Sequence, residues 1–497
     1  MNGCPAVAAA IAGLAAALAF PAPGYVPLVF VAWAPLLVVL ERATVAQGFG
    51  RGAVAGLVFF AVVLRWLAPL SAPAWLVVSA YLALCIAVFG AIAARLLGGP
   101  GAARLALPAA WVALEWLRGW LVGGFNWAAL GSALTPVPEL LPLARTGGVA
   151  ALSFAILVSN QSVAAAAVAV RRGARLEAAR AAALAVAVPV AMLLHAAGTV
   201  PAPGEPAGLA VALIDGDTDP RADGGNDFAR AIQAYVARTD RALAGGRVDL
   251  VLWPETALPR PLDEGGLAVH ARALRRRIAH RWQAPLLFGV PVAADVGGRY
   301  WNEAQLWWPD GVARYQKRRP VPFGEYALEL PLIGRLPRVL SGPEIAAGAG
   351  GAPFVVAGMR LGVLICFEDL FSADALERAG GADALVVLTN DAWLGDAGAA
   401  QHLAAAVLRA VESGRWVARA ANRGASVTID PWGRTTPASL APARLPAAAG
   451  GTPYAEAPAL VPMASAAATL AALVAVRSTA GLRRRSARPP PGCVSRG

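Results

Sequence analysis

The sequence predicts a chain of two physical regimes, a bundle of about eight transmembrane helices joined to an α/β domain of roughly 250 residues. Three observations carry that expectation. Of the 497 residues, 57% are hydrophobic and 15% charged, where an average soluble domain has about 25% charged residues. The apolar excess fills positions 1 to about 200 and returns near 457 to 476. Between them, residues 201 to 455 alternate strand-length apolar runs with stretches of helical period, the pattern of an α/β domain.

Stretches close to the roughly 20 apolar residues that cross a hydrocarbon core run at about 5–21, 26–40, 53–70, 74–94, 105–122, 148–170, 180–199 and 457–476. The first reads as a retained span, since Met1-Asn2-Gly3 lacks the charged n-region of a signal peptide. Orientation follows from the arginines. Arg42 and Arg51, Arg95 and Arg104, and Arg171, Arg172, Arg175 and Arg180 occupy alternate loops, and Arg477, Arg483, Arg484, Arg485 and Arg488 follow the last span. The short intervening loops at 21–25 and 71–73 carry no charge. By the positive-inside rule the arginine side is cytoplasmic, so an odd number of spans before residue 201 exports the α/β domain and the last span returns the chain. The expected division is a bundle over 1–200, a soluble domain over 201–455, a membrane helix over 456–477 and a basic, disordered cytoplasmic tail over 478–497. The net charge of +12 therefore reports topology. Arginines that flank spans do not form the aromatic-interleaved patch of a nucleic-acid binder.

Within the soluble region, strands are expected at 209–214, 248–253, 285–290, 361–365, 384–388 and 425–429, and helices at 227–244, 266–282 and 401–414. Polar residues just past strand ends are where chemistry collects in such domains, and three ends stand out. Arg360-Leu-Gly-Val-Leu-Ile-Cys-Phe-Glu-Asp369 closes a strand on Cys366, the sole cysteine of the soluble region. A lone cysteine in an apolar run is ordinarily a small buried hydrophobe, but here Phe367, Glu368 and Asp369 follow at once, where sheet meets solvent. Val251-Leu-Trp-Pro-Glu-Thr-Ala-Leu-Pro259 mounts Glu255 between two prolines, the rigid setting a general base needs. Tyr315-Gln-Lys-Arg-Arg-Pro-Val-Pro-Phe-Gly-Glu-Tyr326 puts three cations before a Pro-rich loop that ends in Glu325.

Taken singly, Glu255 and the Arg318-Arg319 run read as solvated loop residues. Together, a carboxylate, an ammonium and a thiol on three strand ends make an acyl-transfer set: Glu255 takes the thiol proton, Cys366 attacks a carbonyl, and Lys317 with the Phe367 amide holds the oxyanion. The set calls for no metal or cofactor. The four histidines, His195, His270, His280 and His402, have no ligand spacing, and Cys4, Cys85 and Cys493 leave no pair for an exported disulfide framework.

Further motifs run through the chain: Trp116-Leu-Arg-Gly-Trp120 and Gly124-Phe-Asn-Trp127 in the membrane half, then Pro322-Phe-Gly-Glu-Tyr326, Thr389-Asn-Asp-Ala-Trp-Leu-Gly395 and Gln401-His402. Arg409-Ala-Val-Glu-Ser-Gly-Arg415, Arg419-Ala-Ala-Asn-Arg-Gly424 and Ile429-Asp-Pro-Trp-Gly433 complete the series. The order Glu255, Lys317, Cys366 resembles the Glu-Lys-Cys triad of the nitrilase superfamily, and with spans on both sides the chain is similar, over nearly its whole length, to the apolipoprotein N-acyltransferase family. The resemblance implies an αββα sandwich on the exported, periplasmic face of the cytoplasmic (inner) membrane. It implies a monomer that takes a fatty acyl chain from a phospholipid onto Cys366 and yields it to the α-amine of a diacylglyceryl-cysteine apolipoprotein. It also gives Glu325 and Glu368 supporting roles, as second carboxylates that orient Lys317 or tune its charge, and makes Phe367, Asn390 and Trp393 supporting or substrate-binding residues.

Three departures from the family pattern touch positioning more than chemistry. The segment Ala212-Leu-Ile-Asp-Gly-Asp-Thr-Asp-Pro220 has neither the usual Gln and Asn nor a tryptophan before Trp253; Phe367 stands where tyrosine is common, and Asn126 where proline is. A membrane-tethered carbon-nitrogen hydrolase acting on a small amide, and an inert lipid-binding scaffold, are the alternative readings. The Pro- and Gly-rich stretch 327–351 is the expected cover over the triad.

Overall fold

The computed structural model describes residues 4–99, 101–202, 207–218, 228–260, 267–294, 297–330, 334–336, 338–339, 342–438, 442–447 and 450–486. Its first part is helical: α1 (Pro5–Leu18), α2 (Ala34–Leu40), α3 (Val45–Val63), α4 (Ala72–Leu97), α5 (Leu107–Arg118), α6 (Ala144–Arg171) and α7 (Arg175–Thr199). A capping box starts α3 at Val45 rather than near 53: Thr44 Oγ1 accepts from the Gln47 amide at 3.2 Å and Gln47 Oε1 from the Thr44 amide at 3.0 Å. α3 and α4 then pack backbone to backbone, so that a Cβ added at Gly48 would sit 2.4 Å from the Gly90 carbonyl oxygen.

Among the described residues, five helices are long and apolar enough to cross a membrane, not eight: α3, α4, α6, α7 and a C-terminal helix. The expected spans at 5–21, 26–40 and 105–122 are present as shorter segments. Prolines and glycines cut them. Pro21, Pro23 and Gly24 follow α1; Pro27 and Pro35 go with a division into a 3-10 turn (Val26–Phe30) and α2; Gly119, Gly123 and Gly124 follow α5.

The second part runs β1 (Leu209–Leu213), α8 (Phe228–Ala242), β2 (Leu250–Leu252), α9 (Ala268–Arg276), β3 (Leu286–Ala293), β4 (Tyr300–Trp307), β5 (Val312–Gln316), β6 (Leu328–Leu330), β7 (Gly334–Leu336), β8 (Phe354–Val356) and β9 (Met359–Ile365). It continues with α10 (Ser372–Gly380), β10 (Ala384–Asn390), α11 (Gly395–Ser413), β11 (Val417–Asn422), β12 (Val427–Ile429), β13 (Thr435–Pro437), β14 (Ala443–Leu445), α12 (Pro453–Glu456) and the C-terminal α13 (Leu460–Ser486). Two six-stranded sheets, β14-β1-β2-β3-β4-β5 and β13-β12-β11-β10-β9-β8, enclose a core of Val211, Leu252, Leu287, Val363, Ile365, Val386 and Leu388. Alternate residues of β10 point the other way. Leu385 and Val387 join Val407 and Val411 of α11 in a cluster that runs on into the bundle at Leu141 and Ile156. α8 and α9 cover the opposite face, where Tyr235, Leu274 and Ile278 pack with Trp253 and Phe288. The result is an αββα sandwich whose α11 side rests on the membrane helices.

Parallel registers bring the functional strand ends together. Leu388 pairs with Ile365 across β10 and β9, and Asn390 with Asn422 across β10 and β11. The strands at 300–307, 312–316 and 417–422 were not expected. β4 breaks the apolar pattern with Asn302, Glu303 and Gln305, all buried: Glu303 accepts from Gln305 at 2.9 Å and Gln316 at 3.2 Å within the sheet, and Asn302 Nδ2 donates to Glu255 and Glu325. Asp219 and Pro220, the expected helix starts at 227 and 266, residues 331–333, 337 and 340–341 of the expected cover, and tail residues 487–497 lie outside the described residues.

Candidate active site

Glu255 leaves β2 behind Pro254, with Thr256 at φ +51°. Gly289 on β3 makes the turn possible, because a Cβ there would lie 2.6 Å from both Glu255 Cα and Thr256 N. The buried Glu255 carboxylate accepts from Asn302 Nδ2 at 2.8 Å and Lys317 Nζ at 3.0 Å on one oxygen, and from the Asn390 amide at 3.0 Å on the other.

Lys317 follows β5, and its amide donates to the Asn302 carbonyl at 2.8 Å. Its side chain is 1% exposed and lies between Glu255 at 3.0 Å and Glu325 at 2.9 Å. Burial works against the charge, but Glu255 and Glu325 outweigh it and hold the amine well above the ordinary lysine range. Glu325 is itself fixed by the Val321 amide at 2.7 Å and Asn302 Nδ2 at 3.1 Å. Lys317 is the only lysine in the chain, a signal in the sequence that the motif reading passed over.

Cys366 opens a 3-10 turn (Cys366–Leu370) at φ +50°, a strained conformation for a residue with a Cβ. Burial pushes its thiol up, Glu255 adds to that, and Lys317 opposes it. The resting group is therefore a neutral thiol with a carboxylate and an ammonium beside it.

Glu368 is held by backbone amides and a tyrosine hydroxyl. It makes no hydrogen bond to Lys317; its oxygens accept from the Ile365 amide and the Arg318 amide, each at 2.7 Å, and from Tyr315 Oη at 3.1 Å. It thus ties the residue before the cysteine to the residue after the lysine, and burial pushes its carboxyl up to about 7.

The Phe367 ring packs against Phe371 and Phe125, with centroids 5.2 and 6.2 Å away. Asn390 Oδ1 accepts from Asn422 Nδ2 at 3.0 Å, and Asn422 clasps the backbone N and O of Thr218, both at 2.9 Å. The unusual 215–218 segment is thereby connected to Glu255 through Asn422 and Asn390. Asn302, Tyr315 and Asn422 were missed in the sequence; only the polar interruption of an apolar hairpin hinted at the first.

Cys366, Glu255, Lys317, Phe367 and Trp393 line a cavity of about 1000 Å³. Its other wall comes from the bundle, with Leu67, Leu70, Val77, Val78, Tyr81 and Trp127, and Arg338, Val339 and Ile345 of the expected cover border it. Among the described residues, no group of three or more His, Cys, Asp or Glu is arranged to hold a metal ion.

Residues 12–162 match the family model for the apolipoprotein N-acyltransferase N-terminal domain, and residues 211–443 that for carbon-nitrogen hydrolase. The chain is 34% identical over 454 residues to an apolipoprotein N-acyltransferase of Geobacter metallireducens, covering 85% of this chain and 84% of that one. It is 34% identical over 521 residues to an apolipoprotein N-acyltransferase of Gloeobacter violaceus, covering 96% and 95%. A solved carbon-nitrogen hydrolase superfamily protein of Xanthomonas campestris aligns with 51% of this chain and 97% of its own, at 21% identity and a TM-score of 0.36.

Proposed function

We propose, for a chain that belongs to the apolipoprotein N-acyltransferase family, that Glu255, Lys317 and Cys366 move a fatty acyl chain from a phospholipid to the amine of a diacylated apolipoprotein through a Cys366 thioester. The observation that carries this reading is the composition of one cavity. The thiol, its base and an ammonium share it with apolar side chains of membrane helices, so a lipid tail and a nucleophile meet in one space.

In the first half-reaction, Glu255 takes the thiol proton and the sulfur attacks the ester carbonyl. The oxyanion is held by the Lys317 ammonium and the Phe367 amide. The carbon-oxygen bond then breaks, and Glu255 returns its proton to the leaving lysophospholipid alkoxide. In the second half-reaction the neutral α-amine attacks the thioester, Glu255 takes the amine proton, the thiolate leaves with the new amide formed, and Glu255 returns that proton to the sulfur. Glu325 orients Lys317, Glu368 braces the turn at Cys366, Asn390 fixes Glu255 through its amide, and Phe367 and Trp393 face the substrate. The reaction belongs at the periplasmic face of the inner membrane, with the sandwich exported and the protein acting as a monomer.

The test is mass spectrometry of the purified protein with labelled phospholipid, followed by a diacylated lipopeptide. A labelled Cys366 adduct that discharges onto the lipopeptide amine, and is absent from Cys366→Ala, is the expected result. Release of free fatty acid or ammonia with no N-acylated lipopeptide would favour a tethered hydrolase instead, and absence of any adduct in the wild type would refute the thioester route.

A further inference from the structure

The cavity that holds Cys366 has walls of two kinds. Leu67, Leu70, Val77 and Val78 of the bundle make an apolar side. On the sandwich side, apart from the cluster of Glu255, Lys317 and Glu325, the described lining residues include four arginines, Arg230, Arg238, Arg260 and Arg338, against one carboxylate, Asp217. His402 also borders the space, but Asp369 and Asp391 meet it at 3.0 and 2.8 Å and match its charge.

The fold gathers these arginines from separate elements. Arg230 and Arg238 lie on α8, about two turns apart. Ala231 and Ala234 between them also line the cavity, so this face of the helix is small in the middle and cationic at both ends. Arg260 closes the Pro-bounded loop that carries Glu255, and Arg338 of the expected cover donates to the Pro343 and Gly342 carbonyls, each at 2.8 Å. Arg230 and Arg260 are exposed, and the Arg238 side chain is 41% exposed; the cations face open space, not the core. The unusual 215–218 segment sets Arg238 in place, its guanidinium donating to the Asp215 carbonyl at 3.1 Å and to the Asp217 carboxylate at 3.5 Å. A guanidinium has more N–H donors than those two contacts use. Asp217 is shared with Arg423 at 3.3 Å, so its charge is already matched from two sides.

Substrate chemistry fits this division. In a phospholipid the ester carbonyl and the phosphate are separated by a few covalent bonds of glycerol, so a carbonyl placed at Cys366 brings its phosphate into the same cavity. The catalytic cluster repels that phosphate, because its two carboxylates and one ammonium leave a net negative charge. The arginine side instead offers planar forks of donors that suit a phosphodiester. Beyond the phosphate, a glycerol headgroup adds no charge, whereas choline or ethanolamine brings an ammonium against a wall where four arginines face one carboxylate.

We propose that this basic wall, with Arg230 and Arg238 at its centre, is the subsite for the phosphodiester of the acyl donor and selects anionic phospholipids over zwitterionic ones. The proposal deepens the acyl-transfer reading and rests on it. Asp217 acts here by holding Arg238 toward the cavity.

The experiment uses the full chain in detergent micelles that contain phosphatidylglycerol or phosphatidylcholine with identical acyl chains. Single-turnover thioester formation on Cys366 is measured as the lipid is varied, and discharge to a diacylated lipopeptide is measured separately. Arg238→Gln and Arg230→Gln/Arg238→Gln are compared with Arg272→Gln, which removes an exposed α9 arginine outside the cavity. One basic side chain close to an anionic lipid corresponds to about fivefold in binding. Wild type should reach half-saturation with phosphatidylglycerol at a concentration at least about fivefold lower than with phosphatidylcholine. Arg238→Gln should raise the phosphatidylglycerol value about fivefold and the double variant about 25-fold, with smaller shifts for phosphatidylcholine. Those losses should fall on the half-saturating concentration and not on discharge, and Arg272→Gln should follow the wild type. Equal half-saturation by the two lipids in the wild type, or a shift in Arg272→Gln as large as in Arg238→Gln, overturns the proposal. A defect confined to discharge also overturns it, by assigning the arginines to the lipopeptide acceptor. Should the Arg238 variants fail to fold, Arg230→Gln alone is judged by the same criteria. Equilibrium binding of labelled diether forms of both lipids to Cys366→Ala should show the same preference, with no ester to cleave. Absence of a thioester with either lipid would remove the underlying reading, and the diether preference would still decide the subsite.

Discussion

Replacing Lys317 with methionine keeps an unbranched side chain one atom shorter and removes its charge. In the wild type, one ammonium at 3.0 Å from Glu255 and 2.9 Å from Glu325 leaves the buried cluster with a net charge of minus one. Lys317→Met leaves two carboxylates and a net charge of minus two in a space where neither is substantially solvated. Removing one partner of a buried ion pair costs about 3–5 kcal/mol. The variant can relieve part of that by binding a proton, which raises the folded-state pKa of one carboxyl above its unfolded value. The sign follows from linkage: the relief is fully present below the unfolded carboxyl pKa and is lost as pH rises through the raised one. The variant should therefore approach the wild type near pH 4 to 5 and fall behind by about 3–5 kcal/mol at pH 8. Lys317→Met/Glu325→Gln restores the net charge of minus one and should recover most of that stability. It should not recover activity, since the oxyanion donor is gone and its loss costs about 100- to 1000-fold in thioester formation. Thermal unfolding followed by tryptophan fluorescence at pH 5, 6.5 and 8, with single-turnover acylation, measures both. A pH-independent deficit, or a double variant no more stable than Lys317→Met, would refute the charge argument.

Three further outcomes follow from the same geometry. Glu368, raised by burial from 4.5 to about 7, favours the neutral form in the folded state, so about 3 kcal/mol of stability present below pH 4.5 is lost as pH rises to 7; Glu368→Gln should flatten that part of the stability profile. Gly289→Ala puts a Cβ 2.6 Å from Glu255 Cα and should cost about 1–3 kcal/mol while displacing the base, so acylation should fall more than the melting temperature accounts for. His402, whose partners Asp369 and Asp391 overcome burial and raise it to about 10, should support the fold fully below its unfolded pKa and lose that support as pH rises through 10. A wild-type decline in stability from pH 6.5 to about 10 that is missing from His402→Gln is the corresponding measurement.

Much of the site was legible because its residues stand where strand periodicity ends. Glu255 and Cys366 each follow an apolar run, and the rule that chemistry gathers there needs no tertiary information; Lys317 instead follows Arg314-Tyr-Gln316, where its charge and the Pro-rich loop after it were the signal. The partners that hold them were not legible, since they violate the patterns that make strands visible. Asn302 sits within β4 and Arg419 within β11, both buried, and a polar residue in mid-strand reads as a break until its partner across the sheet is known. Glu368 shows the same limit from the other side. Its neighbourhood to the cysteine was evident, but its carboxylate bonds to backbone amides of residues 318 and 365, and one of those lies far away in the chain. The count of membrane helices failed for a different reason. Hydropathy averages over windows, whereas Pro27, Pro35 and Gly119 act at single positions and shorten helices that composition alone would let run.

The 215–218 segment illustrates how a site can depart from its family pattern without losing its geometry. Its contact with Glu255 runs through Thr218 N and O, which meet the Asn422 side chain, and then through Asn390. Those are backbone atoms on the segment's side, so substitution of its side chains leaves the connection to Glu255 in place. What the side chains change is the wall of the cavity, where Asp217 stands with Arg238 at 3.5 Å and Arg423 at 3.3 Å. Exposed pairs at such distances add little stability, so altering Asp217 should act on substrate recognition and leave the proton transfers at Glu255 unchanged. Asp217→Ala should accordingly raise the lipid concentration needed for half-maximal acylation with little change in the single-turnover rate at saturation. An equal loss in the saturating rate would place this segment in the chemical step after all.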